Sequence, residues 1–585
     1  MNVILHDYII VNSDDEFSII KPRLLQPVIL VDGESFPIVI TAPSDAGEWQ
    51  IRIFTEYSET EIALDDADYY DSEERWLLDV SVPLDTSEDL YDIEVRFTVS
   101  ETDYSLVELN AVKVLDEYPE SFTIIQITDT HLVVGASAII DRITQAIHQI
   151  NLLKPDLVIH TGDLTESGSI GQLEFFESLC ENFQVPVYAI GGNHDLSTIT
   201  TNYIKEISEL YYFFEFGNVF IVMACTFGNS SFGSTQFEWI EDEISDHKTS
   251  PLKIITFHYP IWAVESEGVI YEGFDEAPAF IELCEDEGVD LVLYGHSHND
   301  DVQIFDDTTY ILTTALGGSV WAGNVHGYRI LQFEDYELTY HSYDGVYLSQ
   351  PLGGIEVERV PDNVRILDKG LNLKISNQLT YPLEDLMVKV LLQPLSDDDY
   401  VVANATLVDT LKTEDAWLII AIFDVQIGST EEVMIYPSKA SAPTILEVTY
   451  PSQVEEVQSI PVEIVVENEV SGVQSVELFY MLDDLESLNR KSADYSETNE
   501  YSIRIPKPPE DTESVQFYVV ARDYSGLETV SETYTISIGT MDTDGAGGIP
   551  GFPLEALAIG ILIATLGLLI VKRSDTDSIL KISKD

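Results

Sequence analysis

Asp129 and His131, with Thr130 between them, open a series of carboxylate, amide and imidazole residues that continues through Asp163, Asn193, His258, His296 and His298. Each follows an apolar run, which is where an α/β sheet displays the residues that do its chemistry. Such groups hold divalent or trivalent cations, and hydrolysis gains from two ions about 3.5–4 Å apart. One ion lowers the pKa of a bound water and both neutralise charge on a phosphate. In an extended chain Asp129 and His131 leave on the same side, so both can grip one ion. Asp163 is the natural bridge, because its two oxygens can serve both ions. Asn193 adds a neutral oxygen ligand, and the three later histidines complete the set. Gly162, Gly192 and Gly295 let the backbone turn sharply at the site. A lone Asp or His after a strand is a cap or turn residue; five successive strand ends each carrying one or two ligands are a two-metal hydrolytic centre.

The elements that must position them alternate strand and helix over residues 119–350. Strands are expected at Phe122 to Thr128, Leu157 to His160, Val187 to Ile190, Phe220 to Cys225, Lys253 to Phe257 and Asp290 to Tyr294. Helices are expected at Ala138 to Leu153, Gly171 to Phe183, Thr235 to Asp246 and Pro278 to Glu287. Apolar strands covered by helices on both faces predict a layered α/β sheet. Val302 to Tyr343 is strand-rich and should complete a second sheet. Gly317-Gly318-Ser319-Val320-Trp321 and Asn324-Val325-His326-Gly327-Tyr328 form a Gly-rich turn from which Trp321 or His326 would line the pocket. The segment from His258 to Glu276 is a long loop suited to covering the site. His148, His160, His247 and His341 have no partner pattern and read as structural.

On either side the pattern is all-β. Residues 1–118, 351–443 and 444–539 each hold short alternating runs, such as Phe36 to Thr41, Leu386 to Leu392 and Val515 to Val520, and each is expected to be a β-sandwich. In its Ala521-Arg522-Asp523-Tyr524-Ser525-Gly526 turn the last resembles bacterial immunoglobulin-like repeats. A flexible linker at 540–553 then leads into an apolar span, Leu554 to Val571, which approaches the ~20 residues needed to cross a bilayer. Lys572-Arg573 follow it and head a cytoplasmic tail at 572–585, which places the large N-terminal part outside. Pro550-Gly551-Phe552, apolar span and basic pair resemble the C-terminal anchors of archaeal surface proteins. Met1 to Ile20 shows no secretory signal.

The formal charge of −76 opposes binding to a polyphosphate backbone, and no basic patch offsets it, so nucleic acid is a poor partner. No protein partner is identifiable. Cys180, Cys225 and Cys284 are too few and too widely spaced for a disulfide framework and read as buried apolar fillers.

The ordered series Asp129-x-His131, Gly162-Asp163, Gly192-Asn193-His194-Asp195, His258 and Gly295-His296-x-His298 resembles the calcineurin-like metallophosphoesterase superfamily over about residues 120–345. The resemblance implies one ion on Asp129, His131, Asp163 and His298, and a second on Asp163, Asn193, His258 and His296, the metals being Mn, Fe, Zn or Co. It implies His194 as general acid or charge stabiliser, oriented by Asp195, with both residues catalytic. Glu166 stands where purple acid phosphatases carry a tyrosine, which argues against a purple iron centre. The Gly162 to Gly168 run is closer to the cyclic-nucleotide phosphodiesterase-like branches.

The expected molecule is therefore a multidomain α/β phosphoesterase with three all-β sandwiches and one transmembrane helix. It would hydrolyse phosphodiesters or phosphomonoesters at the cell surface and hold the membrane through its C-terminal helix. The competing expectation is a cell-surface adhesion protein whose phosphoesterase domain is catalytically silent.

Overall fold

Apolar side chains on both faces of a strand require cover on both faces, and the central segment supplies it with two sheets and two helical layers. The computed structural model describes residues 9–10 and 17–539, apart from 73, 197–199, 227–229, 263, 267–268, 272–275, 322, 341–348, 366, 397, 455–457, 484–487, 496–498 and 511. His341, the linker, the apolar span 554–571 and the tail lie outside the described residues. Among the described residues no helix is long and apolar enough to cross a membrane.

In the first central sheet Phe122–Ile127, Leu157–His160 and Val187–Ala189 run parallel, with Ile124 opposite Leu157 and Val158 opposite Val187. Gly327–Glu334 pairs antiparallel on the other side of Phe122–Ile127 and is followed by Glu337–Tyr340. The second sheet has the order Tyr212–Phe216, Val219–Met223, Leu252–Thr256, Leu291–Tyr294, Thr308–Leu312, Asp301–Phe305. Its four inner strands are parallel.

Side-chain alternation along these strands assigns the layers. Ile124, Ile159 and Leu331 share one buried cluster with Phe220, Ile254 and Leu293 of the second sheet. Ile125, Val158 and Val187 point the other way, onto α1 (Ser137–Leu153) and α2 (Ile170–Cys180) through Ile143, Ile147, Leu173 and Phe176. Two short helices, α3 (Asn193–Leu196) and α4 (Thr200–Glu206), follow the third strand. α5 (Gly233–Asp246) and α6 (Ala277–Glu287) pack Ile240, Ile244, Phe280 and Leu283 on the second sheet. α6 begins with Pro278 in its first turn and ends at left-handed Gly288, whose N–H reaches the Cys284 carbonyl, so both boundaries are set by backbone chemistry.

Three expectations change. Only Asp301–Phe305 and Thr308–Leu312 complete the second sheet; Gly327–Glu334 and Glu337–Tyr340 cross to the first. The crossing strand carries Tyr328 toward the helices and Leu331 and Phe333 toward the inter-sheet core, and a sequence apolar on both faces does not say which sheet it joins. Tyr212–Phe216 is an additional edge strand, hairpinned to Val219–Met223. In the N-terminal unit the two halves are one nine-stranded sheet. Glu59–Tyr70 belongs to both, pairing through Glu59 to Ile62 with Gly47–Phe54 and from Ala63 onward with Arg75–Ser81, the latter ladder shifting register at Leu64/Asp66. Ile38, Ile40, Leu78 and Val80 of one half nevertheless meet Ile51, Ile53, Ile93 and Val95 of the other in a single core. Residues 351–443 and 444–539 each form two sheets about one core.

The flanking units grip the helical layer of the first central sheet. Gln149 of α1 donates to the Leu352 and Ile355 carbonyls at 2.9 and 2.6 Å. Leu152, near the end of α1, is part of the core of the 351–443 unit. Arg365 pairs with Asp92 at 2.5 Å and donates to Asn110 at 2.9 Å, while Asn110 donates to the Glu181 and Phe183 carbonyls just past α2.

Arg329, on the crossing strand, is fully buried and paired with buried Asp300 at 2.7 Å. Asp300 also accepts from Ser349 N–H at 3.1 Å. Removing one partner strands a buried charge, so Asp300→Ala is expected to lower unfolding free energy by about 3–5 kcal/mol. Urea titration measures it, and a loss below about 1 kcal/mol would contradict the pairing.

Candidate metal centre

Five parallel strands, three of one sheet and two of the other, end beside one another and deliver all seven expected ligands. Asp129 and His131 follow Phe122–Ile127, Asp163 follows Leu157–His160, and Asn193 begins α3 after Val187–Ala189. His258 follows Leu252–Thr256, and His296 and His298 follow Leu291–Tyr294. The first two loops are zipped together, Asp129 N–H to the Gly162 carbonyl and His131 N–H to the Asp163 carbonyl, each at 3.0 Å. To turn inward from these strand ends, Asp129, His131, Asp163, His296 and His298 adopt left-handed backbones with φ of 50°, 47°, 54°, 73° and 51°. Such conformations cost non-glycine residues on the order of 1–3 kcal/mol each and persist where the surroundings over-determine them.

The side chains gather into two clusters, Asp129/His131/His298 and Asp163/His258/His296. Asp163 joins them, its Oδ2 lying 3.1 Å from His258 Nε2 and 3.5 Å from His131 Nε2. Asn193 Oδ1 is buried with no hydrogen-bond partner.

The donor chemistry fits metal ions. His258 Nδ1 lies 2.8 Å from the Thr161 carbonyl, and His298 Nδ1 is bonded to the Ser319 carbonyl. A carbonyl only accepts, so in both rings Nδ1 carries the proton and the neutral form offers a lone pair at Nε2. His131 is held in the same way by the Glu166 carboxylate at 2.9 Å. Its Nε2 then faces His298 Nε2 at 3.0 Å, lone pair to lone pair, and His258 Nε2 faces the Asp163 carboxylate. Asp129 Oδ1 is buried among them without a hydrogen bond. Only positive charge reconciles these atoms, either as protons or as cations. Burial works against charge on His131 and His258, yet the adjacent Asp163 and Asp129 carboxylates carry both up to about 9. Burial likewise opposes the Asp129 carboxylate, which His298, His131 and His258 hold well below the usual range. His296 moves down to about 4, through burial and then its neighbour His258. Carboxylates, an amide oxygen and imidazoles whose second nitrogens are fixed make a metal-binding set.

The catalytic pair separates. His194 is partly exposed beside the clusters, and its Nδ1 is held by the Glu166 carbonyl at 2.8 Å. Asp195 does not orient it. Its fully buried carboxylate instead accepts from the N–H groups of Leu164, Thr165 and Gly192 and from the Thr165 hydroxyl at 2.9–3.0 Å, joining two ligand loops. Burial, and then Asp163, raise its pKa to about 6. Orientation of His194 thus passes to Glu166, whose side chain also holds His131.

Other supporting residues escape a search for ligands. Gln126, buried in the first strand, bonds Thr161 and the Tyr294 carbonyl at 3.1 Å and accepts from Thr313 at 2.6 Å, tying the two sheets together under the site. Its signal is a lone amide in an apolar strand. His160, read as structural, links Thr130 at 2.6 Å to the Gly162 N–H at 3.2 Å. The glycines need a revised explanation. Gly162 does have φ of +100°, but Gly192 and Gly295 are required by contact: a Cβ there would lie 2.2 Å from Asp163 Oδ1 and 2.0 Å from Thr128 Oγ1. In the Gly317-Gly318 turn a Cβ would likewise meet the Thr130 carbonyl at the first position and the His131 and His298 rings at the second. Trp321 donates to the Ser297 carbonyl, between the two last ligands, whereas His326 belongs to neither cluster. The segment after His258 contains a short hairpin, Val264–Ser266 with Val269–Tyr271, and the Tyr259 ring lies 4.0 Å from that of His296.

Comparison with known proteins agrees with this geometry. The family model described as calcineurin-like phosphoesterase matches residues 122–300. The chain carries a calcineurin-like phosphoesterase domain. Its activity class is metal-dependent hydrolysis of phosphoric esters. Over 204 residues the chain is 26% identical to a protein of Synechococcus sp. named a probable cyclic nucleotide phosphodiesterase, covering 33% of this chain and 79% of that one. It is also 26% identical to an Arcobacter nitrofigilis protein named a probable glycerophosphodiester phosphodiesterase, covering 24% of this chain and 57% of the relative. A Nostoc sp. 3′,5′-cyclic-nucleotide phosphodiesterase is 26% identical, with coverage of 30% and 72%. All three alignments leave most of the present chain, including much of its β-structure, outside the likeness.

A Cβ at Gly318 of the phosphoesterase domain would sit 2.6 Å from His131 Cδ2 and 2.9 Å from His298 Cε1. Gly318→Ala is therefore expected to weaken Mn²⁺ binding about 10- to 100-fold while leaving the far-UV circular dichroism spectrum intact. Calorimetric titration with Mn²⁺ checks it; unaltered affinity would show that the turn does not position the ligands.

Proposed function

We propose that the chain is a two-metal phosphodiesterase held on the outer face of a membrane by its C-terminal apolar segment. The observation that carries the catalytic reading is Asp163, whose Oδ2 faces His131 of one cluster and His258 of the other. Asp129, His131, Asp163 and His298 would hold one ion, and Asp163, Asn193, His258 and His296 the second. When bound, the ions supply an activated water and neutralise charge on the phosphate oxygens.

The protein's own residues do the rest. The zipped loops fix the donors before the ester arrives, so little reorganisation accompanies the reaction. His194 gives its Nδ1 to the Glu166 carbonyl, leaving Nε2 to exchange a proton with the leaving oxygen. Asp195 keeps the Asp163 and Asn193 loops at a fixed separation and is a positioning residue. Diesters are favoured as substrates because the relatives above are named as cyclic-nucleotide or probable cyclic-nucleotide and glycerophosphodiester phosphodiesterases. The outward placement rests on Leu554 to Val571 followed by Lys572-Arg573.

In Mn²⁺-loaded protein, Asp163→Asn and Asn193→Ala are each expected to lower kcat/KM for an aryl phosphodiester at least about 100-fold, since each removes a direct ligand. Their urea midpoints should stay close to that of the parent protein. Unchanged turnover in either variant would remove the centre from the reaction.

A further inference from the structure

The proposed reading leaves open how a diester is told from a monoester, and Glu166 stands where that choice is made. Its Oε2 is 2.9 Å from His131 Nδ1, its carbonyl is 2.8 Å from His194 Nδ1, and its side chain remains 49% exposed. A carboxylate therefore sits between a ligand histidine and the proton-exchanging histidine, facing solvent. The Lys and Arg side chains of this segment are engaged with other groups. Between residues 120 and 350 the Lys and Arg residues are Arg142, Lys154, Lys205, Lys248, Lys253 and Arg329. Arg142 is tied to the Gly317 carbonyl and Arg329 to Asp300. Lys205 and Lys248 pair with Glu206 and Glu287, Lys253 reaches the Ser250 carbonyl, and Lys154 caps the far end of α1.

We propose that Glu166 is a specificity determinant, a fixed negative charge at the mouth of the centre that disfavours doubly charged phosphomonoesters and admits singly charged phosphodiesters. A diester carries one negative charge at neutral pH and a monoester close to two, so the same carboxylate repels the monoester about twice as strongly. At a separation of several ångströms in a partly solvated mouth, the extra repulsion amounts to about 3- to 10-fold in relative kcat/KM. The inference rests on the phosphodiesterase reading above.

The test uses the full chain loaded with Mn²⁺, with bis(4-nitrophenyl) phosphate and 4-nitrophenyl phosphate as the two esters. Glu166→Gln removes the charge and keeps an oxygen that can accept from His131. It is expected to raise kcat/KM for the monoester relative to the diester about 3- to 10-fold, chiefly through a lower monoester KM. Glu166→Asp keeps the charge but shortens the reach to His131, and should retain the parental ratio even where overall turnover falls. Raising the salt concentration should move the parental ratio toward that of Glu166→Gln and leave the variant's own ratio unchanged. An equal loss for both esters in Glu166→Gln would overturn the proposal and reduce Glu166 to a support for His131. Hydrolysis of neither ester by the parental protein would overturn the phosphodiesterase reading itself.

Discussion

Atoms that repel one another are held together at the heart of this molecule. Two buried carboxylates, a buried amide oxygen and four imidazole rings converge where three strands of one sheet meet two of another. No arrangement of hydrogen bonds among them removes the conflict, because the outer nitrogens of three rings are already committed to Thr161, Glu166 and Ser319. Positive charge, as protons or as cations, relieves the conflict, and the framework has to hold the donors close together around it. That requirement accounts for the left-handed backbone at five ligands, the interlocked loops, the amide of Gln126 between the sheets and the carboxylate of Asp195 between two loops. Flexible strand ends would relax away from one another, and the same side chains would then bind cations weakly and in many geometries.

Much of this was legible in the chain, for physical reasons. Ligand chemistry is carried by side-chain type, and strand ends are marked by the close of an apolar run, so the order from Asp129 to His298 is written in the sequence almost directly. What was not legible depends on contacts between distant segments. The role of Asp195 illustrates it: adjacency to His194 suggested an orienting partner, but at the start of a short helix the side chain turns back toward Gly192 and across to Thr165. Gly192 and Gly295 read as turns, whereas their absent Cβ atoms make room for Asp163 and Thr128. The strand at Gly327–Glu334, apolar on both faces, fits either sheet until the helices that cover it are known. The N-terminal unit concealed its continuity in one long strand that changes partner between Ile62 and Ala63 and so serves two halves.

Cations are scarce in this chain, 28 Lys and Arg against 104 Asp and Glu, and several occupy joints. Arg365 and Lys389 reach from the 351–443 unit to Asp92 and Asp89 of the N-terminal unit. Arg23 of that unit donates to the Ile204 carbonyl in α4, and Lys21 pairs with Glu209 just beyond it. Placed at boundaries, these charges act on acidic neighbours that are partly removed from solvent, where the attraction is stronger than on an open surface. The units are joined by attraction at a few points, within a surface that otherwise repels its own kind.

The grip on α1 bears on what counts as the minimal enzyme. The family model matches residues 122–300, and the alternating α/β pattern runs to about 350. Yet Gln149 finds both of its carbonyl acceptors at Leu352 and Ile355, and Leu152 is buried in the core of the unit beyond. A chain cut at either of those points would leave an amide without acceptors and a leucine in water at the far end of α1. The near end of that helix begins six residues after His131. The evolutionary module and the mechanical one are thus different lengths of the same polypeptide.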